Sequence, residues 1–553
     1  MIHKRQSATA AISTWAWLAA LALAAFLLIR NGGVVPFVFR DEYTYNVFTR
    51  LAPMAEAVVP NYLYFFVFGS TKLCGEGFME CVHGLDVAFF LGAAPFIYQT
   101  CRRVAPRFPS CWVTILVMVG PLNSYTVYFM PEAMYFFGFW IMAWVATNLD
   151  ERAGVIDWAG LGVVVGLMSL IKPHALFLLP ALCIFAMYLY VRLQWKDVVR
   201  AAVMAVILVT VTIGTKFAVG YQFAGRAGVT LFGNFYSGVA SSSVAGLDHL
   251  VALGGYSLHS LLAHFLAIVL ALGLSLGTAM GLAVAGPWTP REKMPVHRVA
   301  VFTVLMVGSL VVIVSLFTGS LAMADPSEII RLHQRYYDFS LPLCMICAAA
   351  LAYSPLQTIS LPWRIAFTTI LLVAFGVIFT EKFQGFRPGI LDGAWFDGLM
   401  TDSRCFGVVA YIMALCVVAW PFAPRVALTG LLYLGLPLST VVSGFMVNRE
   451  LDQHRGPTVY ERAGWAARQF VPASERAGLV VICTVPAEGF RVLFNVDDAN
   501  ATFQIAPDTV AYEASKLPPG KSWVLSVGGR ALPGNGTVVT RGEGYVLLHM
   551  PPL

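Results

Sequence analysis

Charge is what this chain has least of: 12% of its 553 residues are Asp, Glu, Lys or Arg, and 58% are hydrophobic. An ordinary soluble domain carries about twice that share of charge, and a mean hydropathy of +0.73 excludes that class. The sequence also lacks a repeat of fixed period. It lacks a duplicated half with matching broken helices, which many transporters carry, and no charge is read deep inside its apolar runs. No basic stripe is laced with aromatics, so nucleic acid is not among the expected partners. The first apolar stretch has no small-residue cleavage site behind it, so it reads as an anchor rather than a signal peptide. Cysteines are few outside apolar runs: Cys101, Cys111, Cys183, Cys344, Cys347 and Cys416 fall within or beside them, as buried small residues do. Cys74 and Cys81 differ, sharing one loop where a disulfide and two free thiols are both open.

Apolar runs of membrane-spanning length fill most of the chain. They lie near 13–29, 83–100, 111–129, 133–148, 157–171, 175–191, 199–219, 261–285, 299–320, 338–353, 363–380, 406–422 and 426–446. That predicts about thirteen helices, each crossing a ~30 Å hydrocarbon core. Basic residues orient them. Lys4 and Arg5 place the N-terminus in the cytoplasm, and alternation then puts Arg102, Arg103 and Arg107 inside. Arg192, Lys196 and Arg200 follow, then Arg291, Lys293 and Arg298, and finally Arg425. These loops account for the net charge of +6. The expected home is a bacterial inner membrane, with membrane lipids as neighbours and the C-terminus outside.

The chain divides into a polytopic body, 1–446, and an external domain, 447–553. Within the body, 31–82 is a long external loop. Its aromatic stretch Asn61–Leu73 is too short to cross and suits a helix lying in the interface. Further external loops are expected at roughly 220–260, where Gly and Ser dominate, at 321–337 and at 381–405. Past 447 the pattern shortens: a helix at 457–470, then apolar runs at Gly478–Val485, Phe490–Asn495, Trp523–Val527 and Tyr545–Met550 between Pro/Gly turns. A small α/β domain is predicted, accessory in role and shaping acceptor access.

The scarce ionisable groups gather on the external side. Asp41 and Glu42 stand together in the first loop; Glu132 ends the third span; Lys172, Pro173 and His174 interrupt an apolar stretch. Arg331, His333 and Arg335 precede Tyr336 and Tyr337. A carboxylate at that boundary can take a proton from a hydroxyl or hold a divalent cation. The cations can hold a phosphate and stabilise charge developing on it. Each residue also has a plainer reading. Asp41 and Glu42 can be solvated loop acids, and Glu132 a helix-start carboxylate. Lys172 can mark a turn, and Arg331 and Arg335 can pair with Asp325 or Glu328. Co-location on one face carries the inference.

The plan as a whole resembles the GT-C superfamily of integral-membrane glycosyltransferases. The likeness is greatest to the branch of the lipid A aminoarabinose transferase and the protein O-mannosyltransferases. Asp41-Glu42 with the aromatic stretch and Arg50 after it match, as do Glu132, Lys172-Pro173 after a Gly-rich span, and His333-Gln334-Arg335-Tyr336-Tyr337 before Leu341-Pro342. Glu132 departs from the pattern, standing where many relatives have Asp. The resemblance implies inverting transfer of a sugar from a polyprenyl-phosphate donor to an acceptor hydroxyl of a lipid, glycan or protein. Asp41 is then the base, with Glu42 and Glu132 as further catalytic carboxylates. Lys172, His174, Arg331, His333, Arg335 and Tyr336 would bind the donor phosphate. Some relatives use a divalent cation; here its ligands would come from Asp41, Glu42, Glu132 and His333. A polysaccharide polymerase and a lipid-linked glycan flippase are the alternatives, and the flippase is disfavoured by the missing paired halves.

Overall fold

A computed structural model of the chain describes residues 2–190, 194–233, 247–285, 295–353, 359–387, 389–513, 515, 517–532 and 536–550. Arg192, Arg291 and Lys293 of the expected inside loops, and 234–246 of the glycine–serine loop, lie outside them. The body is a helical bundle around one continuous apolar core. Seven of the described helices are long and apolar enough to cross a bilayer: Tyr62–Arg102, Pro173–Tyr190, Trp195–Gly228, His249–Leu272, Pro295–Ala324, Leu361–Glu381 and Pro424–Gln453. Ile390–Met400 with Ser403–Ala419, bent by 83°, makes a further crossing if taken as one. Shorter apolar helices such as Trp17–Asn31, Arg107–Val119, Val155–Ser169, Leu274–Ala285 and Asp338–Tyr353 complete the bundle. Large apolar side chains including Val206, Leu262, Leu316, Val373 and Leu415 stay exposed on these helices, a surface suited to hydrocarbon rather than water. The chain is a multi-pass membrane protein.

Several expected boundaries move. The run 261–285 is two helices, Leu247–Leu272 and Leu274–Ala285, parted at Gly273, whose φ of +51° a residue with a side chain rarely adopts. The 220–260 loop shrinks from both ends, because one helix runs on to Ala224 and the next starts at Leu247. The 381–405 segment contains a helix, Ile390–Met400, interrupted at Gly393. Tyr62–Phe68, expected to lie in the interface, buries Tyr62, Tyr64, Phe65 and Phe68 against the bundle. Its Leu63 N–H donates to the Leu170 carbonyl at 3.0 Å. Cys74 and Cys81 form a disulfide.

One close helix contact bears directly on the site. Val155–Ser169 lies against Trp195–Ala224 through Gly162 and Gly166. A Cβ on Gly166 would stand 2.7 Å from Thr215 Cβ, and one on Gly162 2.9 Å from the Leu208 carbonyl oxygen. Small residues allow this approach where lipid supplies no hydrophobic drive. The seam delivers the C-terminal end of Val155–Ser169, and hence Lys172, to a fixed position.

The C-terminal domain has a helix, Val459–Phe470, and a five-stranded sheet. Thr458 caps the helix reciprocally with Glu461. The strands are β1 (Leu479–Cys483), β2 (Thr502–Ile505), β3 (Trp523–Val527), β4 (Thr537–Gly542) and β5 (Tyr545–His549), in the order β2-β1-β3-β5-β4. β1 pairs parallel with β2 and β3, while β5 runs antiparallel between β3 and β4. β1 and β3 are buried along their whole length, so they read as continuous apolar runs. The run Phe490–Asn495 belongs to a helix, Pro486–Val496, not to a strand. Gly489, Val492, Leu493 and Val496 bury one face at helical spacing, and Pro486 opens the first turn.

This domain sits on the segment that follows the first apolar helix. Tyr43 lies 5.5 Å from Phe490 between ring centres, and the Asn46 amide donates to the Phe494 carbonyl at 3.4 Å. Arg50 pairs with Asp497 at 3.0 Å while its guanidinium lies 3.6 Å over the Phe78 ring. The stretch carrying Asp41 is thus clamped between bundle and domain.

Candidate functional site: a carboxylate beside a caged pair of cations

Neighbours on a helix point about 100° apart, and Asp41 and Glu42 on Phe39–Asn46 meet different surroundings. Glu42 turns inward and is buried. Its Oε2 accepts from the N–H groups of Phe37 and Val38 at 2.8 and 2.7 Å, and its Oε1 from Phe129 N–H at 3.0 Å. Burial pushes this carboxyl up to about 7 against those three donors. It ties the first loop to the second. Asp41 turns outward: its side chain is 41% exposed, and Oδ2 accepts from Arg335 Nη1 at 3.0 Å.

Arg335 is buried, and its Nη2 donates to Tyr336 Oη at 3.2 Å. Tyr336 is the hub. His174 stacks on its ring at 4.6 Å, Lys172 Nζ lies 4.8 Å from the ring centre, and the Arg335 guanidinium 5.1 Å. Lys172 in turn forms a buried ion pair with Glu132 Oε1 at 2.8 Å. Pro173 forces Lys172 out of the helical region, to φ −150° and ψ 122°, which ends the preceding helix and frees the side chain. Glu132 opens Glu132–Asn148, where a helix favours a carboxylate. One donor and one acceptor here, Arg335 Nε and Glu132 Oε2, are buried without a hydrogen-bond partner among the described residues.

Arg331 and His333 belong to an adjoining cluster. Arg331 grips Asp392 with Nε at 2.9 Å and Nη2 at 3.2 Å, and reaches Glu328 at 3.1 Å. His333 lies between the same two acids, 3.4 Å from Asp392 and 3.5 Å from Glu328. Asp325, offered in the sequence as a partner, instead accepts from Ser327 N–H. Asp392 went unnoticed because its segment reads as a loop. Burial would lower the His333 pKa, but Asp392 and Glu328 outweigh it and hold the imidazole above its ordinary value. The folded state therefore binds this proton more tightly than the unfolded chain. Its stabilisation is complete below the unfolded value of ~6.5 and is lost as pH rises through the folded one. Thermal melts of the purified protein should fall across that window, and His333→Asn should flatten the slope.

Two buried ionisable residues within spans correct the sequence reading, which saw none. Lys216 donates to the Ser169 carbonyl at 3.2 Å, at the end of the helix that delivers Lys172. Asp86 is fully buried, and neither of its oxygens has a hydrogen-bond partner among the described residues. A lone acid in an apolar run is the sequence signal that marks such a position.

The four residues offered as cation ligands are not brought together. Asp41 faces Arg335, Glu42 faces backbone N–H groups, Glu132 faces Lys172, and His333 faces two other acids. Among the described residues no three His, Cys, Asp or Glu side chains converge on a point a metal could occupy, so no step is derived through one.

No protein-family model and no curated protein matches the sequence. Solved structures do. ArnT from Cupriavidus metallidurans, crystallised with undecaprenyl phosphate, is 13% identical and superposes with a TM-score of 0.53 over 97% of this chain and 98% of its own. An oligosaccharyltransferase from Archaeoglobus fulgidus, tethered to an acceptor peptide, is 10% identical with a TM-score of 0.44, over 92% of this chain and 69% of its own. The first likeness shows the fold: this chain shares the architecture of that membrane protein along nearly its whole length.

Proposed function

We propose that this GT-C-fold protein transfers a sugar from a polyprenyl-phosphate donor to an acceptor hydroxyl at the external membrane face, with inversion. The observation that carries the reading is the half-exposed Asp41 held 3.0 Å from a buried arginine, whose neighbour Tyr336 also gathers Lys172 and His174. A proton acceptor and phosphate-binding cations thus share one small space. The shared fold of an enzyme crystallised with undecaprenyl phosphate supports the class of lipid.

The acceptor oxygen attacks the anomeric carbon while Asp41 takes its proton, and the bond from that carbon to the phosphate oxygen breaks. The leaving lipid passes from phosphodiester to phosphomonoester and gains a negative charge. Arg335, whose Nε is unspent, and Lys172 stabilise that charge, and Tyr336 and His174 keep them in place. Before the donor arrives, Glu132 neutralises Lys172. Glu42 acts by holding the loop that aims Asp41. Arg331 and His333, already matched by two carboxylates, fix the edge of the site rather than contact the phosphate.

Incubating the purified protein with a synthetic polyprenyl-phosphate sugar should release polyprenyl phosphate only when an acceptor is present. Mass spectrometry of surface glycans in a deletion strain should identify what is missing. Intact glycans and an unchanged pool of lipid-linked sugar would overturn the reading. The proposed topology has its own check. A reporter fused after residue 450 should be active only outside the cytoplasm, and cytoplasmic activity would place the site on the wrong face.

A further inference from the structure

The C-terminal domain contains a cleft that the transfer reaction does not use. It holds about 290 Å³ and is lined by Tyr460, Arg462, Thr484, Glu488, Asp508, Gly528 and Glu543 among others. Its position follows from the sheet. From β1 the chain crosses through Pro486–Val496 to β2 on one side, then returns to β3 on the other, and from β3 it moves away to β4 and β5. The strand order therefore reverses between β1 and β3. Open sheets with parallel strands bind ligands beyond the carboxyl ends of the strands at such a point. Thr484 directly follows β1, and Val527 and Gly528 end β3.

The polar edge of the cleft is fixed from within the domain. Arg530, whose side chain is fully buried behind the lining, donates to Asp508 and Thr484 and holds both in place. Gly528, at φ +110°, keeps the space: a Cβ there would stand 2.8 Å from the Asp508 carboxyl carbon. Above, Tyr460 donates to Glu488 at 2.8 Å, and Arg462 lies 4.0 Å from Glu543. Three lining carboxylates, Glu488, Asp508 and Glu543, against one lining guanidinium, Arg462, disfavour an anion such as phosphate. A ligand that both donates and accepts, and carries no charge, satisfies both sets of groups. That description fits a neutral sugar, and the volume suits one or two rings.

We propose that this cleft is a saccharide-binding site, using hydroxyl donors to Asp508, Glu488 and Glu543 and an oxygen acceptor for Arg462. The site stands without the transferase reading. Its use as a secondary subsite for a glycan acceptor rests on that reading, because Pro486–Val496 joins the cleft to the Asp41 loop.

The test is ligand-observed NMR on the purified full chain with methyl α-D-mannopyranoside, methyl α-D-galactopyranoside and, as the anionic control, methyl phosphate. At least one glycoside should bind saturably in the millimolar range, unaffected by methyl phosphate. Glu543→Gln and Arg462→Ala, at exposed positions, should each weaken it about tenfold while undecaprenyl phosphate still binds. Absence of saturable glycoside binding overturns the proposal, as does displacement by methyl phosphate or binding that ignores both variants. Glycoside binding by a protein that does not bind undecaprenyl phosphate would support the cleft and sink the transferase reading.

Discussion

Asp41→Asn should lower turnover by about 10²–10⁴-fold, the usual worth of a placed proton acceptor, and leave affinity for undecaprenyl phosphate nearly unchanged. The substitution keeps an oxygen for Arg335 Nη1, so the guanidinium stays where it is. The expected split is a fall in kcat without a matching loss of binding, as when an interaction belongs to the transition state alone. Glu42→Gln should behave differently. Its carboxylate accepts from three backbone N–H groups, and an amide can accept at only one of its two ends. The loop loosens, so turnover and stability fall together. Purified variants assayed with a polyprenyl-phosphate sugar and melted in parallel would show the contrast. Near-normal turnover by folded Asp41→Asn would move the base to Glu132, whose Oε2 is unspent.

Lys172→Ala should cost about 3–5 kcal/mol of stability, since removing one partner of a buried ion pair strands the other charge. Both side chains are nearly inaccessible, 7% and 3% exposed, so solvent cannot make up the loss. Replacing both partners with apolar residues of similar volume, Lys172→Met with Glu132→Leu, should recover most of the melting temperature. It should not recover binding of undecaprenyl phosphate. The two readouts separate the lysine's structural role from its proposed role towards phosphate. A double variant that binds the lipid phosphate like the parent protein would remove Lys172 from the donor site.

The grouping of Asp41, Glu132, Lys172 and Arg335 was legible because each is an ionisable residue stranded at the end of an apolar run. Charge scarcity makes such positions conspicuous, and topology puts them on one side. What sequence could not give was which oxygen faces which partner. Asp41 and Glu42 are equivalent in a string and separated only by the turn of a helix. Asp392 was invisible because its helix is short and interrupted at Gly393, so it resembles a loop. Phe490–Asn495 is too short for period alone to choose between strand and helix. Asp86 and Lys216 were overlooked although single charges within spans are a strong signal. Only their full burial shows that neither reaches the interface by snorkelling.

The clamp between the first loop and the last domain also sets a clock. Asn46 and Phe494 touch across 448 residues of sequence. At synthesis rates of 5–20 residues per second, roughly 20 to 90 seconds separate their emergence. Throughout that interval the Asp41 segment lacks the surface that Tyr43, Asn46 and Arg50 rest on. A chain that still lacks its last domain can therefore insert its helices before the Asp41 segment is held in place. The order of synthesis, not only the final packing, decides when that segment acquires its support.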